Sequence, residues 1–189
     1  MSPSVRRAFN AIARVACEEF TRHLKPRRIM SREGDSVYLE RFYICGGPSE
    51  DGQFADEPIG VMLHRFVRSD EDGELHNHPW EASASLILAG GYSEERRLGD
   101  DSVERREFGP FSINVILANH FHRVDLLEKD AWTLFVVTRK AQSWGFWHRI
   151  TKAFTPWREF IAQRRGVDAS AIQAVTKSED IGGASKETA

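Results

Sequence analysis

The segment His76-Asn77-His78-Pro79-Trp80 is the most informative part of this chain, and it is followed by the apolar run 84–88 and the pair Gly90-Gly91. Side chains alternate between the two faces of an extended segment, so we expect His76 and His78 to project from the same face. Two imidazoles on one face can bind a single divalent metal ion. A later cluster, Asn119-His120-Phe121-His122-Arg123, could supply the remaining ligands. The sequence therefore predicts a metal site built from two distant segments.

Composition indicates one globular domain with short extensions. The chain has 189 residues, a formal net charge of -2, 41% hydrophobic residues and 29% charged residues, which is typical of a compact protein. The near-zero charge argues against a partner with a highly charged surface, so we expect neither nucleic acid nor a membrane as partner. No apolar run approaches the roughly 20 residues that span a bilayer. Two cysteines, Cys17 and Cys45, do not form a disulfide framework, and we expect reduced thiols in a cytoplasmic protein.

Short segments rich in aromatic and branched residues recur along the chain, separated by turns that contain glycine, proline and aspartate. Helical patterns do not occur between them, which favours an all-β barrel or sandwich. The predicted strands are 37–44, 60–67, 82–88, 92–97, 111–117 and 132–138.

The two ends of the chain have a different pattern. Apolar residues spaced three and four apart predict an N-terminal amphipathic helix that packs outside the main domain and ends by Pro26; they are Val5, Phe9, Ile12, Ala16 and Phe20. Pro156-Trp157-Arg158 opens a short helical stretch. We predict an N-terminal helical unit at 1–30, a β-barrel at 31–150, and a C-terminal helical extension with a weakly ordered tail at 151–189.

The histidine clusters resemble the two sequence motifs of the cupin family. His76 and His78 match the His-x-His pair of the first motif, Gly90 matches its closing glycine, and His122 matches the histidine of the second motif. The stretch 38–159 is also similar to a group of uncharacterised bacterial and phage cupin-domain proteins. The resemblance implies a double-stranded β-helix, or jelly roll. It also implies a divalent metal ion held by His76, His78 and His122, with Fe(II) favoured and Zn, Mn or Ni as alternatives.

One position departs from the cupin pattern. Counting back from Gly90, the family's usual glutamate ligand falls at Ser83, and the nearest carboxylate is Glu81. Glu81 is therefore a candidate for the fourth ligand or a general base. His120 shares its face with His122 in an extended chain, so it is a candidate second ligand, proton carrier or rim residue.

Several functions fit this pattern. The first is a mononuclear-metal enzyme that acts on a small molecule, with an anionic one favoured, by dioxygen-dependent oxidation or by isomerase or lyase chemistry. The alternative is a non-catalytic module that binds or senses a small ligand, and a third is a purely structural metal site. Because an uncovered strand edge invites pairing, a homodimer is plausible.

Overall fold

The computed structural model describes residues 2–31, 35–46, 59–70 and 73–166. These residues form two antiparallel sheets of six strands each, with a helix near each end of the chain. In chain order the elements are α1 Pro3–Thr21, β1 Arg27–Met30, β2 Val37–Cys45, β3 Ile59–Phe66, β4 Leu75–His76, β5 Ala82–Ala89, β6 Tyr92–Arg97, β7 Val103–Phe108, β8 Ile113–Leu117, β9 His122–Leu126, β10 Ala131–Thr138, β11 Gly145–Trp147, β12 Phe154–Pro156 and α2 Trp157–Arg165.

The two sheets pack face to face. The first has the strand order β1-β2-β3-β10-β5-β8, and the second has the order β12-β11-β4-β9-β6-β7. One buried cluster joins Ile87 and Ala131 of the first sheet to Tyr92 and Val124 of the second. The predicted all-β fold, a double-stranded β-helix with a helix before and after it, is therefore confirmed.

All six predicted strands are present, close to their predicted bounds. Strand β7 was not predicted, because its sequence Val-Glu-Arg-Arg-Glu-Phe lacks apolar alternation. It pairs with β6 along six residues, and Glu95 lies opposite Arg105 with their charged groups 3.9 Å apart. A cross-strand ion pair of this kind adds to the backbone hydrogen bonds of the two strands. Strand β1 was missed for a similar reason, since it begins with Arg27 and Arg28.

Helix α1 packs on the outside of the first sheet as predicted, but through a different face. Its buried residues include Asn10, Cys17 and Thr21, whereas the predicted apolar residues are exposed apart from the half-buried Phe9. Val5 is 55% exposed and Ile12 is 70% exposed. The helix ends at Thr21, ahead of Pro26, and Ser2 caps its first turn.

Polar contacts fix this orientation of α1. The Asn10 amide donates to Glu128 (2.7 Å) and accepts from the backbone N–H of Gly90 (3.2 Å). Arg14 forms ion pairs with Glu128 and Asp130. Gly90 has a φ of +70°, and a Cβ there would lie 2.1 Å from the carbonyl oxygen of Asp130, so this turn requires glycine. These partly buried hydrogen bonds orient the helix more strongly than its exposed apolar residues do.

The predicted C-terminal helix is present as α2, and aromatic stacking holds it against β11. The ring of Phe160 lies 3.9 Å from that of Phe146, and Trp157 stacks on Trp144 at 5.5 Å. Neither described helix combines the length and apolar character needed to cross a bilayer. The tail predicted to be weakly ordered lies outside the described residues from position 167 onward. The division at 30 and 150 stays a prediction, although strand β1, which falls in the first segment, belongs to the first sheet.

Candidate metal centre

Three histidine side chains converge inside the barrel. His76 ends β4, His78 follows it, and His122 opens β9, where it lies directly opposite His76 in the antiparallel pair. The ring centroids are 4.7 Å apart for His76 and His122, 5.0 Å for His78 and His122, and 5.4 Å for His76 and His78. Their ligand nitrogens all lie within 4.8 Å of one another, so the group could hold a metal ion. The structure thus brings together all three residues predicted as ligands.

Asn77 anchors the segment that carries the first two histidines. Its backbone N–H donates to the carbonyl of Gly145 (3.1 Å), and its side-chain oxygen accepts from the N–H of Gly145 (2.9 Å). Asn77 is 4% exposed. Because this side chain is tied to β11, the neighbouring His76 and His78 are directed into the barrel.

Aromatic side chains enclose the triad. His78 stacks on Trp80 at 5.5 Å and lies 5.9 Å from the ring of Phe135, and His76 lies 6.2 Å from Phe146. Burial lowers the pKa of His76 to about 4, despite the opposing effect of nearby Asp70, and burial also lowers the pKa of His78 well below its usual value. Both imidazoles are therefore neutral at pH 7, which is the protonation state that binds metal.

Glu94 fixes the tautomer of His122. Its carboxylate lies 2.7 Å from Nδ1 of His122. Burial alone would raise the pKa of Glu94, but hydrogen bonds from His122, Asn114 and Arg96 outweigh this and hold the pKa at about 2. An ionised carboxylate only accepts hydrogen bonds, so Nδ1 of His122 carries a proton and Nε2 is the nitrogen that is placed to bind a metal ion. That Nε2 atom lies 2.9 Å from Nε2 of His78.

Glu94 was not among the residues predicted for the site. A signal was present, however: Tyr92, Glu94 and Arg96 alternate along β6 and share its interior face. Oε1 of Glu94 accepts hydrogen bonds from Arg96 (3.1 Å), Asn114 (3.0 Å) and His122, whereas the buried Oε2 atom accepts none and lies 2.9 Å from the Arg96 guanidinium. Recognising it from sequence required knowing that Arg96 lies opposite His122 across the β6–β9 pair.

The two residues predicted to be catalytic lie outside the triad. The Glu81 side chain is 55% exposed and pairs with Arg139 at 3.0 Å. Nδ1 of His120 accepts from the N–H of Leu117 (3.1 Å) and lies 3.2 Å from an Arg96 nitrogen. Burial, followed by the charge of Arg96, lowers the pKa of His120. Catalytic roles for Glu81 and His120 stay predictions.

A groove of about 540 Å³ adjoins the triad's supporting residues. It contains none of the three histidines, but its wall includes Arg96 and His120. Its other charged residues are Arg97, Arg106 and Glu104. Arg96 lines the groove and also donates a hydrogen bond to Glu94, so this one side chain separates the groove from the Glu94 carboxylate.

Two antiparallel six-stranded sheets enclose a histidine triad drawn from β4, the residues after it and the start of β9. The chain has the cupin fold. Position Ser83, where many cupins have a glutamate ligand, is 4% exposed, and its hydroxyl donates to the carbonyl of Ile116 (3.4 Å). Among the described residues, the candidate centre is therefore a triad of histidines with a glutamate behind one of them.

Several solved structures are similar to this chain at low sequence identity. No protein-family model and no curated protein sequence matches the chain. A solved structure of DMSP lyases shares 15% identity with a TM-score of 0.46, covering 64% of this chain and 63% of that one. Oxalate decarboxylase from Bacillus subtilis shares 16% identity with a TM-score of 0.47, covering 80% of this chain and 37% of that one. KdgF from Halomonas sp. shares 16% identity with a TM-score of 0.38, covering 55% of this chain and 82% of that one.

The chain spans slightly under two thirds of the DMSP lyase structure and little more than one third of oxalate decarboxylase. At such identities the likeness is one of fold alone, and any chemistry has to be argued from this chain's own residues.

Proposed function

We propose that His76, His78 and His122 bind one divalent metal ion and that this cupin is a mononuclear-metal enzyme acting on a small anionic molecule. The observation that carries the proposal is the convergence of three imidazoles on one point inside the barrel, with Nε2 of His122 lying 2.9 Å from Nε2 of His78. Nitrogens that bond one ion at about 2.1 Å lie roughly 3 Å apart when their bonds are at right angles. The donor set fits Fe(II), which we favour, and also Zn, Mn or Ni.

The charges around the triad support an anionic substrate. An imidazole that binds a metal ion does so as a neutral group, and the nearby Glu94 carboxylate is paired with Arg96 at 2.9 Å. A bound dication would therefore keep its positive charge, which favours a carboxylate or thiolate substrate. The adjoining groove adds Arg97 and Arg106 against one carboxylate, Glu104.

Each neighbour of the triad has a distinct role in this proposal. When bound, the metal ion supplies a Lewis acid with open positions for substrate. Glu94 keeps the proton of His122 on Nδ1, and Trp80 and Phe135 limit access of water to His78. Ionised Glu94 is 1% exposed and already accepts several hydrogen bonds, so we assign it positioning rather than proton transfer.

The test is to purify the full chain without chelator, measure bound metal by elemental analysis, and follow turnover and oxygen uptake with small carboxylates and thiols. We expect one divalent ion per chain in the wild-type protein and none in His122→Ala. Absence of stoichiometric metal from the wild-type protein, even after metal is added, would refute the proposal. Stoichiometric metal with ligand-dependent thermal stabilisation but no turnover would favour the alternative, a module that binds or senses a small ligand.

A further inference from the structure

A second carboxylate lies behind the triad, next to His76. Oδ2 of Asp70 is 3.9 Å from Nδ1 of His76, and the two side chains are 11% and 18% exposed. This separation is longer than a hydrogen bond, so the interaction in the structure is electrostatic. Burial has the largest effect on the pKa of His76 and lowers it, whereas the charge of Asp70 raises it. A negative charge therefore faces one ring nitrogen of a proposed metal ligand.

Four hydrogen bonds fix the position of Asp70. Its backbone N–H donates to the carbonyl of Val124 (2.9 Å), and its carbonyl accepts from the Arg123 guanidinium (3.3 Å). In the side chain, Oδ2 accepts from the N–H of Val124 (2.6 Å), and Oδ1 accepts from the hydroxyl of Tyr38 (2.5 Å). Burial, followed by the charge of Asp70, raises the pKa of Tyr38 well above its usual value, so the phenol keeps the proton that it donates. The carboxylate is thus held with Oδ2 toward His76.

The short length of β4 explains part of this arrangement. Strand β4 pairs with β9 at one residue, His122, although β9 continues to Leu126. Beyond that pair, the N–H of Val124 donates to the Asp70 carboxylate. The N–H of Leu126 donates in the same way to the hydroxyl of Ser69 (2.9 Å). Asp70 and Ser69 therefore share a structural role along β9, and any effect of Asp70 on the triad has to be separated from that role.

We propose that Asp70 is a positioning residue for His76: its carboxylate keeps the ring proton on Nδ1 and leaves Nε2 to bind the metal ion. A carboxylate accepts hydrogen bonds and donates none, so it favours a proton on the nitrogen that it faces. Ligand histidines commonly have such a partner on the nitrogen that does not bind metal, and this partner orients the ring and raises its basicity. The effect on metal binding rests on the proposed function, whereas the position of the ring proton does not.

The first experiment locates the ring proton of His76 in the metal-free full chain, so that the result does not depend on metal binding. Long-range proton–nitrogen NMR of the histidine rings at neutral pH distinguishes the two ring nitrogens, and a His76→Ala variant assigns the signals. We expect the proton on Nδ1 in the wild-type protein and a shift of the population toward Nε2–H in Asp70→Asn. Ser69→Ala is the matched control: it removes the other side-chain acceptor along β9 and should leave the tautomer unchanged.

The second experiment measures the affinity of the full chain for Zn(II) by competition with a coloured chelator. We expect Asp70→Asn to weaken binding by about 10-fold or more, and Ser69→Ala to bind as the wild-type protein does. Tyr38→Phe removes the donor that orients the carboxylate, and its affinity should fall between those two. Because Tyr38→Phe leaves the contact between Asp70 and Val124 in place, it decides the question if Asp70→Asn does not fold.

A proton on Nε2 of His76 in the wild-type protein would overturn the proposal. A folded Asp70→Asn protein with the wild-type tautomer and affinity would also overturn it, as would the same result for Tyr38→Phe. Equal losses of affinity in Ser69→Ala and Asp70→Asn would show that Asp70 acts only through β9, and the proposal would be wrong. A wild-type protein that binds no Zn(II) would instead count against the proposed function, and the tautomer measurement would still decide for or against Asp70.

Discussion

The Nε2 atoms of His78 and His122 lie 2.9 Å apart although 44 residues separate them in the chain. Antiparallel pairing of β4 with β9 produces this approach, since it places His76 directly opposite His122. Glu94, 28 residues before His122, completes the arrangement from the neighbouring strand β6. The chemistry of the centre thus depends on three strands that are adjacent in the sheet but distant in sequence.

Removing one member of the triad should abolish metal binding. We expect His76→Ala and His122→Ala to retain less than one tenth of the wild-type metal, because two imidazoles alone hold a divalent ion weakly. The measurement is elemental analysis after dialysis. His120→Ala is the matched control: this histidine lies close to the triad in sequence but bonds to Leu117 and Arg96, and it should keep full metal content. Wild-type metal content in either triad variant would rule out the assigned ligands.

Replacing Glu94 should weaken metal binding without removing a ligand. Glu94→Gln takes the charge from the group that holds Nδ1 of His122, and losses of about 10- to 100-fold in affinity are typical of such changes. Competition with a coloured chelator would measure the affinity. Glu95→Gln, on the opposite face of β6 where Glu95 pairs with Arg123 and Arg149, should leave the affinity unchanged.

The outcome for Glu94→Gln is interpretable even if the variant is unstable. Arg96, only 13% exposed, loses its charged partner, and burying an unpaired charge is costly. A Glu94→Asp variant keeps the charge and should fall between wild type and Glu94→Gln in metal affinity. Equal affinities for all three folded proteins would show that Glu94 does not act through His122.

Glu81 can be tested separately from the metal ligands. Because its carboxylate pairs with Arg139 and is half exposed, we expect Glu81→Gln to keep full metal content and to change the free energy of unfolding by less than about 1 kcal/mol. Elemental analysis and urea denaturation would measure the two quantities. A loss of turnover with unchanged metal would support Glu81 as a base, whereas a loss of metal would identify it as a ligand.

The pH dependence of stability should carry a contribution from His64. Burial, followed by the charge of Arg41, lowers the pKa of His64 well below 6.5. As the pH falls through 6.5, the His64 imidazole binds a proton in the unfolded chain but stays neutral in the folded protein. The free energy of unfolding should therefore decrease, by up to about 1.4 kcal/mol per pH unit for this one group.

Urea denaturation of metal-free protein between pH 8 and pH 5 would measure this contribution. His64→Gln keeps an acceptor for Arg41 Nε, which donates to His64 at 3.0 Å, but it cannot titrate, so the pH slope should be shallower. His23→Gln alters an exposed histidine and serves as the control. An unchanged slope in His64→Gln would mean that another group dominates this pH range.

The sequence alone was sufficient to predict the all-β fold, the helix at each end and the three histidines of the candidate centre. These features are local, because the alternation of apolar and polar residues, the turn residues and the His-x-His spacing each occur within one short segment of the chain. Tertiary structure alone decided the rest. Glu94 becomes a partner of His122 only once β6 lies beside β9, and the charged segment of β7 becomes a strand by pairing along β6. The face of α1 that packs was set by Asn10 and Arg14 meeting the turn residues Gly90, Glu128 and Asp130. Each of these features depends on contacts between groups that are far apart in the chain. A pattern within a single segment therefore cannot predict them.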